Sequence, residues 1–366
     1  MNSSIFQFRF LKATLIWAFL LGVVFTSCSK KDSTPPPPPA DKAALQVAVT
    51  TAQGLNDNSV EGTKPGQYEV GNKATLTAAL TASKLVLADP NATQASINNT
   101  TAQLLAAIAA YQGHRINEIA AASLIGFWKM NGNANDSSGN GNNGVITVGH
   151  AYFGAGVLAP AADRFGRAGM AYHFDNGSNI DVPYKASLNP QQMSISLWVR
   201  QDTAGRTINP KNCYMVAMNR WNGYKFQTQP SLPFFTVKAV KPAGDTTIYD
   251  RDDAGVALAV NTWRHLVVTF KSGFMSFYIN GDLVKTWDAT TPNPVPGNAL
   301  TLPNPIDLVI GQDLPTNKYV TVDDGTGRFF VNYGGFWKGD MDDVMFYNIA
   351  LDGPQVKSIF TNQNTL

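Results

Sequence analysis

The chain has 366 residues, with 28 Lys and Arg against 26 Asp and Glu, a near balance that does not advertise a nucleic-acid partner. Its 31 glycines and 21 prolines suit a loop-rich β protein, and the length suffices for two domains, one of them with a sizeable β core. The two cysteines, Cys28 and Cys213, could pair on paper.

Arg9 and Lys12 precede an apolar run from Ala13 to Phe25, shorter than the ~20 residues of a membrane-spanning helix, and Thr26-Ser27-Cys28 follows. Residues 1–27 therefore read as a signal peptide. Leu21 to Cys28 resembles a bacterial lipobox, with Phe25 in place of the usual Leu. The resemblance implies acylation of Cys28 and an outer-membrane lipid anchor, which leaves Cys213 as a lone thiol buried in a sheet. Ser29-Lys30-Lys31-Asp32 resembles the charged signals that send Bacteroidetes lipoproteins to the cell surface. Within the linker, 28–41, Pro35 to Pro39 cannot donate backbone hydrogen bonds and favour polyproline II, a spacer of roughly 15 Å at ~3.1 Å per residue.

Three amphipathic helices follow in residues 42–115. Leu45, Ala48, Val49, Ala52 and Leu55 form one stripe, Leu76, Ala79, Leu80, Ser83 and Leu87 a second, and Ile97, Thr101, Leu104, Ile108 and Tyr111 a third. Gly62 to Gly66 and Asp89-Pro90-Asn91 break the helices, and Thr93 caps the last. GQYEVGNKATLTAAL and NATQASINNTTAQLLAAIAAY resemble the FIVAR-type three-helix modules found beside carbohydrate-active domains. The role this suggests is a spacer or a dock for a protein partner in a glycan-uptake complex.

From residue 122 the period changes to two. Ser194 to Arg200, Cys213 to Asn219, Tyr224 to Thr228, Phe234 to Val240, Asp307 to Gly311 and Asp342 to Tyr347 alternate as strands. The clearest stretch is 261–284. His265, Val267 and Thr269 face one way and Leu266, Val268 and Phe270 the other, Lys271-Ser272-Gly273 turns the chain, and a second strand ends in Asn280-Gly281, a type I′ signal. Gly353-Pro354 starts a short helix ending near Phe360.

Five segments, GFWKMNGNANDSSGNGNNG, YHFDNGSNIDVP, SISLWVR, WRHLVVTF with FYINGDLV, and FWKGDMDDVMFYNIAL, resemble laminin-G-like domains of the concanavalin A-like lectin and glucanase class. The resemblance covers residues 122–366. It implies a mainly β fold, a two-sheet antiparallel jelly-roll sandwich behind a small three-helix bundle, with the first strand beside the last and a tendency to bind glycans. It also implies a structural calcium ion ligated by Asp342, with Asp175 completing the set.

Gly139, Gly141 and Gly144 spell the dinucleotide fingerprint, but polar residues precede them and the strand-like Val145 to Val148 follows, so the fingerprint's context is missing. Asp136 to Gly141 mimics the start of an EF-hand whose twelfth position, Thr147, is not Glu. Glycanases of this fold align paired carboxylates along one strand, yet Ser194 to Arg200 carries none and the only glutamates, Glu61, Glu69 and Glu118, precede the jelly roll. The four histidines are scattered, and His265 reads as structural.

The expectation is non-catalytic glycan binding, with a hydrolase or lyase, or an adhesin for a protein partner, as alternatives. Sugars present apolar C–H faces, so a site needs aromatic platforms rimmed by polar groups. Asn219-Arg220-Trp221-Asn222-Gly223-Tyr224 and the insert from Leu314 to Trp337 offer both, which selects Arg220, Trp221 and Tyr224, then Tyr333 and Trp337.

Overall fold

The computed structural model describes residues 39–365 apart from 203–212, 230, 254, 256, 291–294, 300–301 and 303–304. Cys28 and the leader lie outside the described residues. Among those described, no helix is long and apolar enough to cross a membrane. Residues Asp41–Leu366 form one compact unit.

Helices α1 (Ala43–Asn58), α2 (Lys73–Ala88) and α3 (Gln94–Gly113) bury the stripes that their period defines, among them Leu45, Val49, Leu76, Leu80, Ile97, Leu104 and Ile108. Thr93 Oγ1 accepts the Ser96 amide at 3.2 Å, satisfying one of the free N–H groups at the start of α3. Tyr111 at its end stacks on Tyr68, with 4.4 Å between ring centroids.

The remainder is β1 (Leu124–Trp128), β2 (Val145–Thr147), β3 (Val157–Ala161), β4 (Ala171–Asp175), β5 (Asn179–Val182), β6 (Met193–Gln201), β7 (Cys213–Met218) and β8 (Tyr224–Thr228). It continues with β9 (Pro233–Val240), β10 (Thr246–Asp252), β11 (Arg264–Lys271), β12 (Phe274–Ile279), β13 (Asp282–Trp287), β14 (Asn298–Ala299), β15 (Leu308–Ile310), β16 (Gly339–Tyr347) and helix α4 (Gly353–Gln363). A back sheet runs β13-β12-β11-β6-β16-β4-β3 with β1 on β16, and a front sheet runs β10-β9-β8-β7-β15-β5-β2 with β14 on β9. The terminal strands pair as expected, Leu124 opposite Tyr347 and Trp128 opposite Val344.

Alternation decides what faces the core. Ile195, Leu197, Leu266, Val268 and Phe277 from the back sheet meet Met215, Phe226, Phe235, Leu308 and Ile310 from the front. Full burial of each contributes about 1.5–3 kcal/mol, which pins the register, because a one-residue slip would expose the whole set. Asn280 and Gly281 take φ of 53° and 79°, as a type I′ turn requires. A Cβ on Gly281 would lie 2.9 Å from Cβ of Phe360, so the turn packs directly against α4.

That helix closes the outer side of the back sheet. Asp352 and Gln355 form a capping box, and Val356 packs with Val267, Tyr278, Tyr347 and Leu351. His265 is fully buried beneath it, with Nε2 2.8 Å from Ser196 Oγ and Trp198 and Phe360 as ring neighbours. The helical module docks on the same helix: Ser358 Oγ donates to Thr63 O at 2.6 Å, and Asn117 Nδ2 to Asp352 Oδ2 at 3.1 Å.

Candidate functional site

Beyond α4, the back sheet carries neutralised charge. Asp340 is shared by Arg200 and His173, and Lys338 pairs with Asp175. The front sheet differs. Its registers line up one outward row, Val145, Asp181, Val309, Ala217, Lys225, Thr236 and Asp250, each directly opposite the next. Tyr214 and Gln227 lie opposite one another a step along.

At one end of β8 the chain makes the turn that the sequence singled out. Asn219 and Arg220 both take positive φ, 63° and 49°, a conformation costly for arginine that the surroundings must hold. The Arg220 guanidinium does so: Nε donates to Asp313 Oδ2, and Nη1 donates to Gly327 O at 2.8 Å and Phe330 O at 2.7 Å. Asp313 Oδ1 accepts Tyr319 Oη and, at 3.1 Å, the Gly335 amide. Arg220, Asp313 and Tyr319 are buried, and burial followed by Asp313 pushes the Tyr319 phenol well above its ordinary pKa. Gly223 closes the turn where a Cβ would meet Met218 O at 2.1 Å.

The expected ligand residues therefore divide. Trp221 is half-buried and Tyr333 is 44% exposed, and their rings meet edge to face at 5.5 Å, giving an aromatic corner at the rim of the sheet. Arg220 is corrected from ligand group to strut: all of its described hydrogen bonds go to the protein, and it ties the turn to the 314–335 insert. Tyr224 and Trp337 are likewise corrected, since both are fully buried in the core and Tyr224 Oη donates to Leu188 O at 2.6 Å.

The implied calcium ligands do not converge. Gly339 lies opposite Phe174, which sets Asp175 against Lys338 and leaves Asp342 four residues further along, about 13 Å at the strand rise. Asp342 and Asp343 are bound by the Arg164 guanidinium at 2.7 and 3.0 Å, so a cationic side chain already holds these carboxylates. The Asp136 loop is also spent on the protein, taking the amides of Phe127, Ser138 and Asn142.

Two groups on the front face went unnoticed in the sequence. Lys225 is 3% exposed, its Nζ 4.7 Å from the Trp221 ring centroid and 5.4 Å from that of Tyr214, and burial pulls it down to about 8. Its signal was legible as the one charged residue of Tyr224-Lys225-Phe226, on the opposite face to two core aromatics. Asp181 is pushed up to about 6 by burial and then by Asp307. Extending the β5–β15 register makes these two diagonal neighbours on the outer face, about 7–8 Å apart at Cα.

A two-sheet antiparallel sandwich whose first and last strands pair is the double-sheet jelly-roll architecture that lectin domains share. Residues 174–357 match the laminin-G type of the concanavalin A-like lectin/glucanases superfamily, and the chain belongs to that family. Among solved structures it is similar to domain 4 of AbnA, a GH43 extracellular arabinanase of Geobacillus stearothermophilus, in complex with arabinotriose. That match has 20% identity over 65% of this chain and 98% of that one, with a TM-score of 0.44. It is also similar to the binding domain of Paraclostridial Mosquitocidal Protein 1, at 17% identity over 66% and 53%, TM-score 0.43. The receptor-binding domain of botulinum neurotoxin type G matches at 15% identity over 66% and 51%, TM-score 0.39. The chain thus spans about half the length of both toxin-derived chains. Comparison with curated proteins gives no match.

Proposed function

We propose that the front sheet binds a glycan without cleaving it, at the corner formed by Trp221 and Tyr333. The observation that carries this reading is an aromatic pair, half-buried Trp221 and exposed Tyr333, that meets edge to face beside polar groups at the rim of the front sheet, away from the sheet that α4 covers. A glycan array followed by titration of any hit tests it. Trp221→Ala is expected to weaken binding by about five- to a hundredfold, by analogy with the about 1–3 kcal/mol lost when an aromatic ring stacked on a nucleobase is removed. Undiminished binding would place the site elsewhere, and a hit among proteins alone would favour the adhesin reading.

A second reading, hydrolysis, is favoured by Asp181, a carboxyl held near 6 beside Asp307, since acid catalysts are tuned this way. Any polysaccharide that binds is to be assayed for released product. Release that Asp181→Asn abolishes would establish the enzyme, while intact polymer removes this reading.

The leader supports a further part of the proposal, anchoring at an outer membrane through acylated Cys28 and display at the cell surface. Cys28→Ala is expected to move the protein to the soluble fraction. Unchanged membrane partitioning would refute the anchor.

A further inference from the structure

Lys225 lies on the outward row of the front sheet, and its ammonium makes no ion pair with any described carboxylate. Nζ enters no hydrogen bond or ion pair among the described residues; its neighbours there are the faces of Trp221 and Tyr214. The nearby acids are engaged elsewhere. Asp313 is taken by Arg220, Tyr319 and the Gly335 amide, and Asp250 accepts the Thr236 hydroxyl. The charges of Asp250 and Asp313 reach Lys225 only from a distance, so a cation shielded from water and compensated in part opposes folding unless something further offsets it. Two ring faces offset part of the cost without neutralising the charge.

The flank adds to this. Lys238, two residues beyond Thr236 on the same side of β9, donates from Nζ to Asn222 Oδ1 at 3.3 Å, so a second ammonium stands beside the Trp221 turn. A sugar ring on the Trp221 and Tyr333 corner would carry its substituents towards these two lysines, past an aromatic wall that excludes water.

From this arrangement we propose that the ligand is an anionic glycan, whose carboxylate or sulfate ester meets Lys225 Nζ while its ring stacks against Trp221. The inference rests on the glycan-binding reading above and names the substrate class of that same site. It needs a single anionic oxygen group at van der Waals distance from the rings; a uronic acid and a sulfated sugar both supply one.

The test is calorimetric titration of the full-length protein with polygalacturonate and alginate as carboxylate arms and chondroitin sulfate as the sulfate arm. Carboxyl-reduced polygalacturonate and a neutral xylan serve as uncharged controls. At least one anionic arm is expected to bind ten-fold or more tighter than its neutral counterpart, with affinity falling as salt rises. Lys225→Met should abolish that preference, Lys225→Arg should keep most of it, and Lys271→Met, an exposed lysine at the end of β11, should leave it unchanged. Melting of each variant separates loss of contact from loss of fold, since methionine suits the shielded position. Equal binding of charged and neutral polymers would overturn the anionic assignment and leave the glycan reading standing. An anionic preference that survives Lys225→Met would overturn the role of this lysine, and failure of every polymer to bind would overturn both.

Discussion

Replacing Arg220 by alanine is expected to destabilise the protein by about 3–5 kcal/mol, because Asp313 would remain buried without its cation. The loss is compounded at the carbonyls of Gly327 and Phe330, which would forfeit their donor, and the 314–335 insert should loosen from the turn that carries Trp221. Urea unfolding gives the magnitude. Limited proteolysis reports the insert, where cleavage should accelerate more than global unfolding accounts for. Arg220→Lys should recover only part of the stability, since a single ammonium cannot reach Asp313 and both carbonyls in the guanidinium's fork geometry. A variant as stable as the parent would show that the ion pair is dispensable.

The second large effect concerns acid. Burial, and then the charge of Arg164, lowers His265 to about 3, against about 6.5 for an unfolded histidine. Between those values the unfolded chain takes up a proton that the folded chain refuses. Stability from this group is therefore full above pH 6.5 and is lost as pH falls, at about 1.4 kcal/mol per unit. Moving from pH 6.5 to 4.5 should cost the parent about 2.3 kcal/mol more than His265→Gln, which cannot titrate. Parallel urea titrations at the two pH values decide it, and identical acid slopes would show that His265 is solvated or protonated in the fold.

The strands were legible where alternation was clean. From His265 to Ile279 the period of two and the branched side chains agree, and β11 and β12 pair there with no bulge, whereas the Asn-Gly hairpin of β12 and β13 shifts register between Phe277 and Tyr278. Weak patterns hid strands: β3, Val-Leu-Ala-Pro-Ala, has a proline and little alternation, and β10, Thr246–Asp252, is mostly polar. The candidate site was harder to read because its decisive partners are distant in sequence. Arg220 resembled a rim residue in a polar turn, and only the fold brings Asp313, 93 residues away, against its guanidinium. Tyr224 carried the right chemistry but the wrong parity, since a strand places odd and even residues on opposite faces, and Trp337, just ahead of β16, is drawn into the core between the sheets. Lys225 had the right parity and was overlooked because one lysine among aromatics looks like an interruption.

Helix α4 has a further consequence for how the protein meets its surroundings. It plasters the back sheet and is also the surface on which the helical module rests, at Thr63 and Asn117. The module therefore grips the sandwich from behind, as a handle grips the back of a mirror. Among the described residues, the contacts that hold this handle fall on α4 and its N-cap, not on the turn that carries Trp221.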